Sequence, residues 1–268
     1  MEDAVVTGKP KADSEILLRR DAEGIAFLTL NRPRQFNALS GALLLALEHE
    51  LDALAADDAA RVVVITGAGT AFCAGHDLKE MRSLPAQADV EALFALCSTT
   101  MQRLIALPQP VIAAVNGLAT AAGCQLVAQC DLAVASADAR FAVSGINLGL
   151  FCSTPAVALT RNLGRKRSAE MLFTGDFIDA ETALDWGLVN RVVPADRVLE
   201  AARDLAQKLL AKPRDSLALG KALFYRQLEA GVAAAYEDAS RTIACNFAAP
   251  SAREGVAAFL EKRPPNWK

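Results

Sequence analysis

Two short segments of small side chains carry most of the chemistry this sequence can offer. Thr120-Ala121-Ala122-Gly123 lies beyond an apolar run, Val111 to Val115, and opens into the helical pattern of Cys124 to Cys130. Ala71-Phe72-Cys73-Ala74-Gly75-His76-Asp77 likewise runs into a helical pattern through Met81. Side chains this small let a ligand approach the backbone where the first N–H groups of a helix lack partners. A strand, a bend without bulk and a helix start make a place to hold an oxyanion. The same small residues also suit close packing of a helix on a sheet, so the bend alone leaves both uses open.

Other arrangements fall short. Gly67-Ala68-Gly69 would need its third glycine at Phe72 to bind a dinucleotide. Ser144 would need glycine at Ala142 to form a nucleophile elbow. His49 stands between two glutamates in a helical pattern and reads as solvated or salt-bridged. Cys152 could act as a nucleophile if its loop aims it at a substrate, yet no histidine is evidently paired with it, and a packing thiol is the plainer use. With His49 and His76 the only histidines and no clustered thiols, no zinc site is expected.

The elements that must position the bends follow from periodicity. Ile16 to Leu18 and Ile25 to Leu30, split by Asp21 to Gly24, predict a β-hairpin that Pro33 ends. Ser40 is an N-cap for a helix in which Leu43, Leu44, Leu47, Leu51 and Leu54 share one face. Strands are predicted at 61–66, 111–115 and 132–135, an extended segment at 140–143, and a helix over 90–107 stopped by Pro108 and Pro110. Ser144 to Pro155 reads as a loop before a helix ending near Gly164. Met171 to Asp176 precedes a short helix at Ala180 to Trp186, and a strand follows at Gly187 to Val189. From Ala195 the pattern is helical, with a break near Pro213. Strands and helices alternate first and helices dominate last, which predicts an α/β core at 15–195 with a helical region at 196–268.

Composition narrows the function. At 268 residues the chain can bury a substantial core, and 53% hydrophobic residues with 6% aromatics favour packed elements over an aromatic binding face. A net charge of −3 argues against nucleic acid and anionic membranes as partners. No apolar stretch reaches the roughly 20 residues of a membrane span. Residues 1–14 have no apolar or Arg/Ser-rich amphipathic stretch and read as a disordered leader, and six cysteines without a CxxC pair read as reduced buried thiols. A cytoplasmic location is expected.

Several separated motifs resemble the crotonase superfamily, in its enoyl-CoA hydratase/isomerase branch. They are Leu30-Asn31-Arg32-Pro33 with Asn37-Ala38-Leu39, Phe72 to Glu80, Val111 to Asp131, Leu172 to Gly175, Gly187-Leu188-Val189 and Phe259 to Arg263, all in the family's order. Within that branch, the stretches Gly123 to Ala128 and Ser144 to Pro155 most resemble the subgroup typified by the mitochondrial enoyl-CoA hydratase domain-containing protein 3. The resemblance implies a ClpP-like spiral of ββα units with a C-terminal trimerisation region, assembled as a homotrimer or dimer of trimers. It implies an acyl-CoA thioester as ligand, with coenzyme A part of the substrate and no separate cofactor. The thioester oxygen would lie between the N–H of His76 and that of Ala122, with the adenine near Gln35 to Ala38 and along Ala74, Gly75, Asp77 and Leu78. The His76 side chain either shapes the pocket or takes part in catalysis.

The sequence departs from that family where hydration needs it most. The family's two water-activating glutamates fall at Gln125 and Gly145. An amide cannot accept a proton at neutral pH and glycine offers no group at all. Around the expected pocket remain Thr120, Ser144, Asn147, Cys152, Ser153 and Thr154. The expectation is an enzyme that stabilises a thioester enolate without the glutamate pair, for example in decarboxylation. The alternative is a catalytically silent acyl-CoA binder or assembly partner. Lys79, Lys221, Arg226, Lys262 and Arg263 are the cations to examine for CoA phosphates, though each also reads as a solvated charge.

Overall fold

A computed structural model describes residues 15–267. The leader expected at 1–14 lies outside them. In chain order the elements are β1 (Leu17–Ala22), β2 (Ile25–Leu30), α1 (Gly41–Ala55), β3 (Val62–Gly67), β4 (Ala71–Cys73), α2 (Leu78–Ser83), α3 (Gln87–Ala106), β5 (Val111–Val115), β6 (Leu118–Thr120) and α4 (Ala122–Gln129). There follow β7 (Leu132–Ser136), β8 (Arg140–Ala142), α5 (Ser153–Asn162), α6 (Arg165–Thr174), β9 (Ile178–Asp179), α7 (Ala180–Trp186), β10 (Arg191–Val193), α8 (Val198–Leu210), α9 (Arg214–Leu228), α10 (Val232–Phe247) and α11 (Pro250–Leu260).

Two sheets organise the chain: β1-β2-β3-β5-β7-β10 and a smaller β4-β6-β8-β9. Each of β3, β5 and β7 adds a parallel strand to the large sheet, and the next few residues add β4, β6 or β8 to the small one. A helical stretch then returns the chain, so the path is a spiral of ββα units, the crotonase fold expected above.

The central strands of the large sheet, β3 and β5, are buried on both faces, which is why they are continuously apolar. Val63 and Ile65 of β3 with Val111, Ala113 and Val115 of β5 face the main core, shared with Leu43, Leu44, Leu47, Leu51 and Leu54 of α1. Val62, Val64, Ile112 and Ala114 face the other way, against Val198, Ala202 and Ala206 of α8. Ser40 caps α1 as expected, its hydroxyl accepting from Leu43 N at 3.2 Å.

Several expectations are corrected. The small sheet was missed apart from the 140–143 segment, because strands of two or three residues leave too short a trace for periodicity. Met171 to Thr174 is the end of α6. Gly187 is a left-handed helix cap, φ 88°, and the strand comes later, at Arg191–Val193. The 144–155 loop contains a short 3-10 turn at Ser144–Leu148, and α5 begins at Ser153.

Helices α9, α10 and α11 are mostly exposed, with Phe224, Tyr236, Ile243, Phe247 and Phe259 more than half open to solvent. What fastens α9 to the core is Lys221: Nζ donates to the Leu104 and Gln109 carbonyls at 2.8 and 2.9 Å and to Asp131 Oδ2 at 2.7 Å. Tyr225 donates to the other Asp131 oxygen at 2.7 Å. No helix among the described residues is long and apolar enough to cross a membrane.

Candidate active site

A cavity of about 740 Å³ lies where β4 and β6 give way to their bends. Its first wall is the segment from Ala74 to Lys79. Leu39 N donates to the Gly75 carbonyl at 2.7 Å, and Asp77 N donates to the Leu39 carbonyl at 3.1 Å. This parallel bridge turns the groups of Gly75 and Asp77 towards Leu39, so the N–H of His76 between them points the opposite way. Buried Asn37 holds the Leu39 segment in place, its amide donating to the Ala68 and Ala71 carbonyls at 2.9 and 2.8 Å.

The second wall is the bend before α4. Ala121 adopts φ 48°, ψ −120°, a conformation costly for a residue with a Cβ. It is held from both sides: its N–H donates to the Ala142 carbonyl at 2.9 Å, and its carbonyl accepts from Gln125 N at 3.0 Å. Ala122 is the first residue of α4. Among the described residues neither its N–H nor that of His76 donates to a protein acceptor.

The two bends touch. A Cβ on Gly75, φ 89°, would stand 2.9 Å from Ala121 Cβ and 3.3 Å from Ala122 N, so only glycine allows the approach. Gly123 packs α4 onto β4 so closely that a Cβ there would meet the Cys73 carbonyl oxygen at 2.0 Å. The small residues thus divide both readings between them: Gly123 serves packing, and Ala122 faces the cavity.

Of the residues singled out in the sequence, Gln35, Ala38, Ala74, His76, Asp77, Leu78, Thr120, Ala122, Gly145 and Cys152 line the cavity, as do Ser144, Ser153 and Thr154. Gly75, Gln125 and Asn147 do not. Gly75 lies behind its wall. Asn147 is turned away by the 3-10 turn and donates weakly to the Gly175 carbonyl at 3.4 Å. Gln125 is 4% exposed, one helical turn beyond Ala122, and its Oε1 is buried without a hydrogen-bond partner. The Thr120 hydroxyl has its proton committed, donating to the Ala74 carbonyl at 2.9 Å.

The electrostatics leave no free acid. Asp77 is held below the usual carboxylate range, first by Arg32 at 2.8 Å, and its Oδ1 caps α2 through the N–H groups of Lys79 and Glu80. Burial pushes His76 down to about 4, so its imidazole is neutral at pH 7. That ring packs on Phe94, with centroids 4.7 Å apart, and its Nε2 is buried without a partner. Burial also raises the Cys152 thiol, which weakens the nucleophile reading because the thiolate is the reactive form. Cys245 departs from the expected buried thiols: it is exposed.

The cations sort clearly. Lys79 lines the cavity, together with Arg34, which sequence reading missed. Lys221 is buried against Asp131, Arg226 pairs with Asp238, and Arg263 pairs with Glu254 and Glu261. The sequence reading also missed the apolar wall of Phe36, Met81, Val90, Phe94, Leu148, Leu150 and Phe151. Val90 and Phe94, four apart on α3, carried the only signal, a shared helix face.

A ββα spiral with a cavity between two such bends defines a protein of the crotonase superfamily. A sequence profile of the enoyl-CoA hydratase/isomerase family matches residues 20–268. The chain is 43% identical over 258 residues to the mitochondrial enoyl-CoA hydratase domain-containing protein 3 of Rattus norvegicus, covering 96% of this chain and 86% of that one. A crystal structure of enoyl-CoA hydratase from Mycobacterium smegmatis matches with TM-score 0.93 at 57% identity, over 94% of this chain and 99% of that one. The crystal structure of human enoyl-CoA hydratase domain-containing protein 3 matches with TM-score 0.91 at 43% identity, over 94% and 100%. The chain belongs to the enoyl-CoA hydratase/isomerase family, whose members bind acyl-CoA thioesters. The cytoplasmic expectation is overturned, because the rat, mouse and human relatives are mitochondrial by name. It rested on net composition and on the lack of a targeting pattern in residues 1–14.

Proposed function

We propose that the chain binds an acyl-CoA thioester in this cavity and stabilises its enolate between the N–H groups of His76 and Ala122. The observation that carries this reading is the pair of unpartnered N–H donors on two bends in contact, at the wall of a largely apolar cavity. Fixed donors aimed at developing negative charge in a dry site are worth roughly 3–4 kcal/mol each by removal elsewhere. Lys79 and Arg34 line the cavity, which supports their meeting phosphate groups of the CoA. No cofactor beyond the CoA of the substrate is required.

The reaction this site favours forms the enolate without a protein base. In loss of CO₂ from a 2-carboxyacyl-CoA, the pair from the breaking C–C bond flows to the thioester oxygen, and C2 then takes a proton from solvent. The absence of a free carboxylate supports this over water addition by a glutamate pair. It equally favours a second reading, an acyl-CoA binder without turnover. The deciding experiment offers crotonyl-CoA, malonyl-CoA and methylmalonyl-CoA to the unmodified protein. Decarboxylation of either dicarboxylic ester supports the first reading. Hydration of crotonyl-CoA at the rate of ordinary family hydratases sinks it. Tight binding without turnover selects the silent binder.

The exposed apolar side chains of α9 to α11 support self-association as a homotrimer or dimer of trimers, which light scattering would report.

A further inference from the structure

We propose that Thr120 is a positioning residue of the oxyanion site: through Ala74, its hydroxyl sets where the His76 N–H stands relative to the Ala122 N–H. The inference rests on the enolate-stabilising reading above. Thr120 Oγ1 donates to the Ala74 carbonyl at 2.9 Å, and Thr120 is 7% exposed. Thr120 precedes Ala122 by two residues and Ala74 precedes His76 by two, so this one bond joins the two donor-bearing segments at their roots.

Nothing else polar joins them among the described residues. The β4–β6 ladder pairs Ala71 with Leu118 and Cys73 with Ala119, with a register shift between, and goes no further. Beyond it each bend is tied to a third party. Ala74 N donates to Phe36, Gly75 and Asp77 pair with Leu39, and Ala121 N donates to Ala142. Contact at Gly75, where a Cβ would meet the Thr120 carbonyl oxygen at 3.0 Å and Ala122 N at 3.3 Å, limits how near the bends come. The Thr120 hydroxyl limits how far they part. Two N–H groups can share one oxygen only within a narrow separation, so the site needs both limits.

The test reads polarisation of a bound thioester, which a merely stabilising role would not move. The full-length protein is titrated with 2,4-hexadienoyl-CoA, whose absorption shifts to the red when its thioester oxygen accepts strong hydrogen bonds. The expected result is a red shift in the parent and in Thr120→Ser, which keeps the hydroxyl. Thr120→Val, measured at saturating ligand, is expected to lose most of the shift. Thr120→Ala removes the same hydroxyl with less bulk and gives the same reading if the valine variant does not fold. A full shift in a folded variant lacking the hydroxyl overturns the proposal. Bound ligand with no shift in the parent overturns the oxyanion reading itself, a separate and recognisable outcome.

Discussion

Gly145 and Leu150 are closed onto each other: Leu150 N donates to the Gly145 carbonyl at 3.0 Å, and a Cβ on Gly145 would stand 2.6 Å from the Leu150 carbonyl oxygen. The same Cβ would meet Cys152 Sγ at 2.8 Å. The loop therefore leaves no room for a side chain at Gly145. Gly145→Ala is expected to destabilise the protein by about 1–3 kcal/mol, the usual cost of overpacking, measured by chemical denaturation. A neutral result would mean that the loop opens freely and that a carboxylate could be restored there.

Gln125→Glu is the cleaner restoration. The new carboxyl would be buried one turn beyond Ala122 and carry a raised pKa. Because residue 125 lies behind the cavity wall, crotonyl-CoA hydration is expected to stay at the parent's level at every pH. A gain that climbs with pH as the glutamate ionises would show that this face of α4 reaches the substrate double bond.

His76 gives stability a pH dependence of known sign. Its folded value of about 4 lies below its ordinary 6.5, so between them the unfolded chain binds more protons. Stability is fully present above 6.5 and declines as pH falls towards 4. In His76→Gln that part of the slope should vanish while the backbone N–H stays. Urea unfolding inside and above the window checks it, and an unchanged slope would assign it to other groups.

Ala121 is strained where glycine would not be. Ala121→Gly should stabilise by about 1 kcal/mol, the relief of strain exceeding the added backbone entropy of the unfolded chain. A lower melting temperature would show that the Ala121 methyl against Gly75 matters more than its backbone.

The Lys221–Asp131 pair should behave as a buried ion pair. Asp131→Ala leaves a lysine with a 7% exposed side chain without its counter-charge, and it also removes the acceptor of Tyr225 and of Val111 N. A loss of about 3–5 kcal/mol is expected, readable by thermal unfolding. A loss near that of a surface substitution would mean α9 is docked by other contacts.

Much of this architecture was legible because it is local. The leucine spacing of α1, its Ser40 cap and the doubly buried runs of β3, β5 and β7 are written at helical or strand period. The small sheet was not, since its strands are too short to show alternation, and α6 passed unnoticed because Arg165 to Glu170 has little apolar pattern. In the site, the two bends could be picked out by their small side chains.

Residue type and short-range spacing therefore determined most of the helices and the central strands of the large sheet. Only the tertiary structure decided that Gln125 and Asn147 leave the cavity, that Lys221 is buried against Asp131, and that the Thr120 hydroxyl donates to the opposite bend. The reason is distance along the chain. The Thr120 bond spans 46 residues and the Lys221 pair spans 90, and no local pattern encodes which partner a side chain meets across such separations.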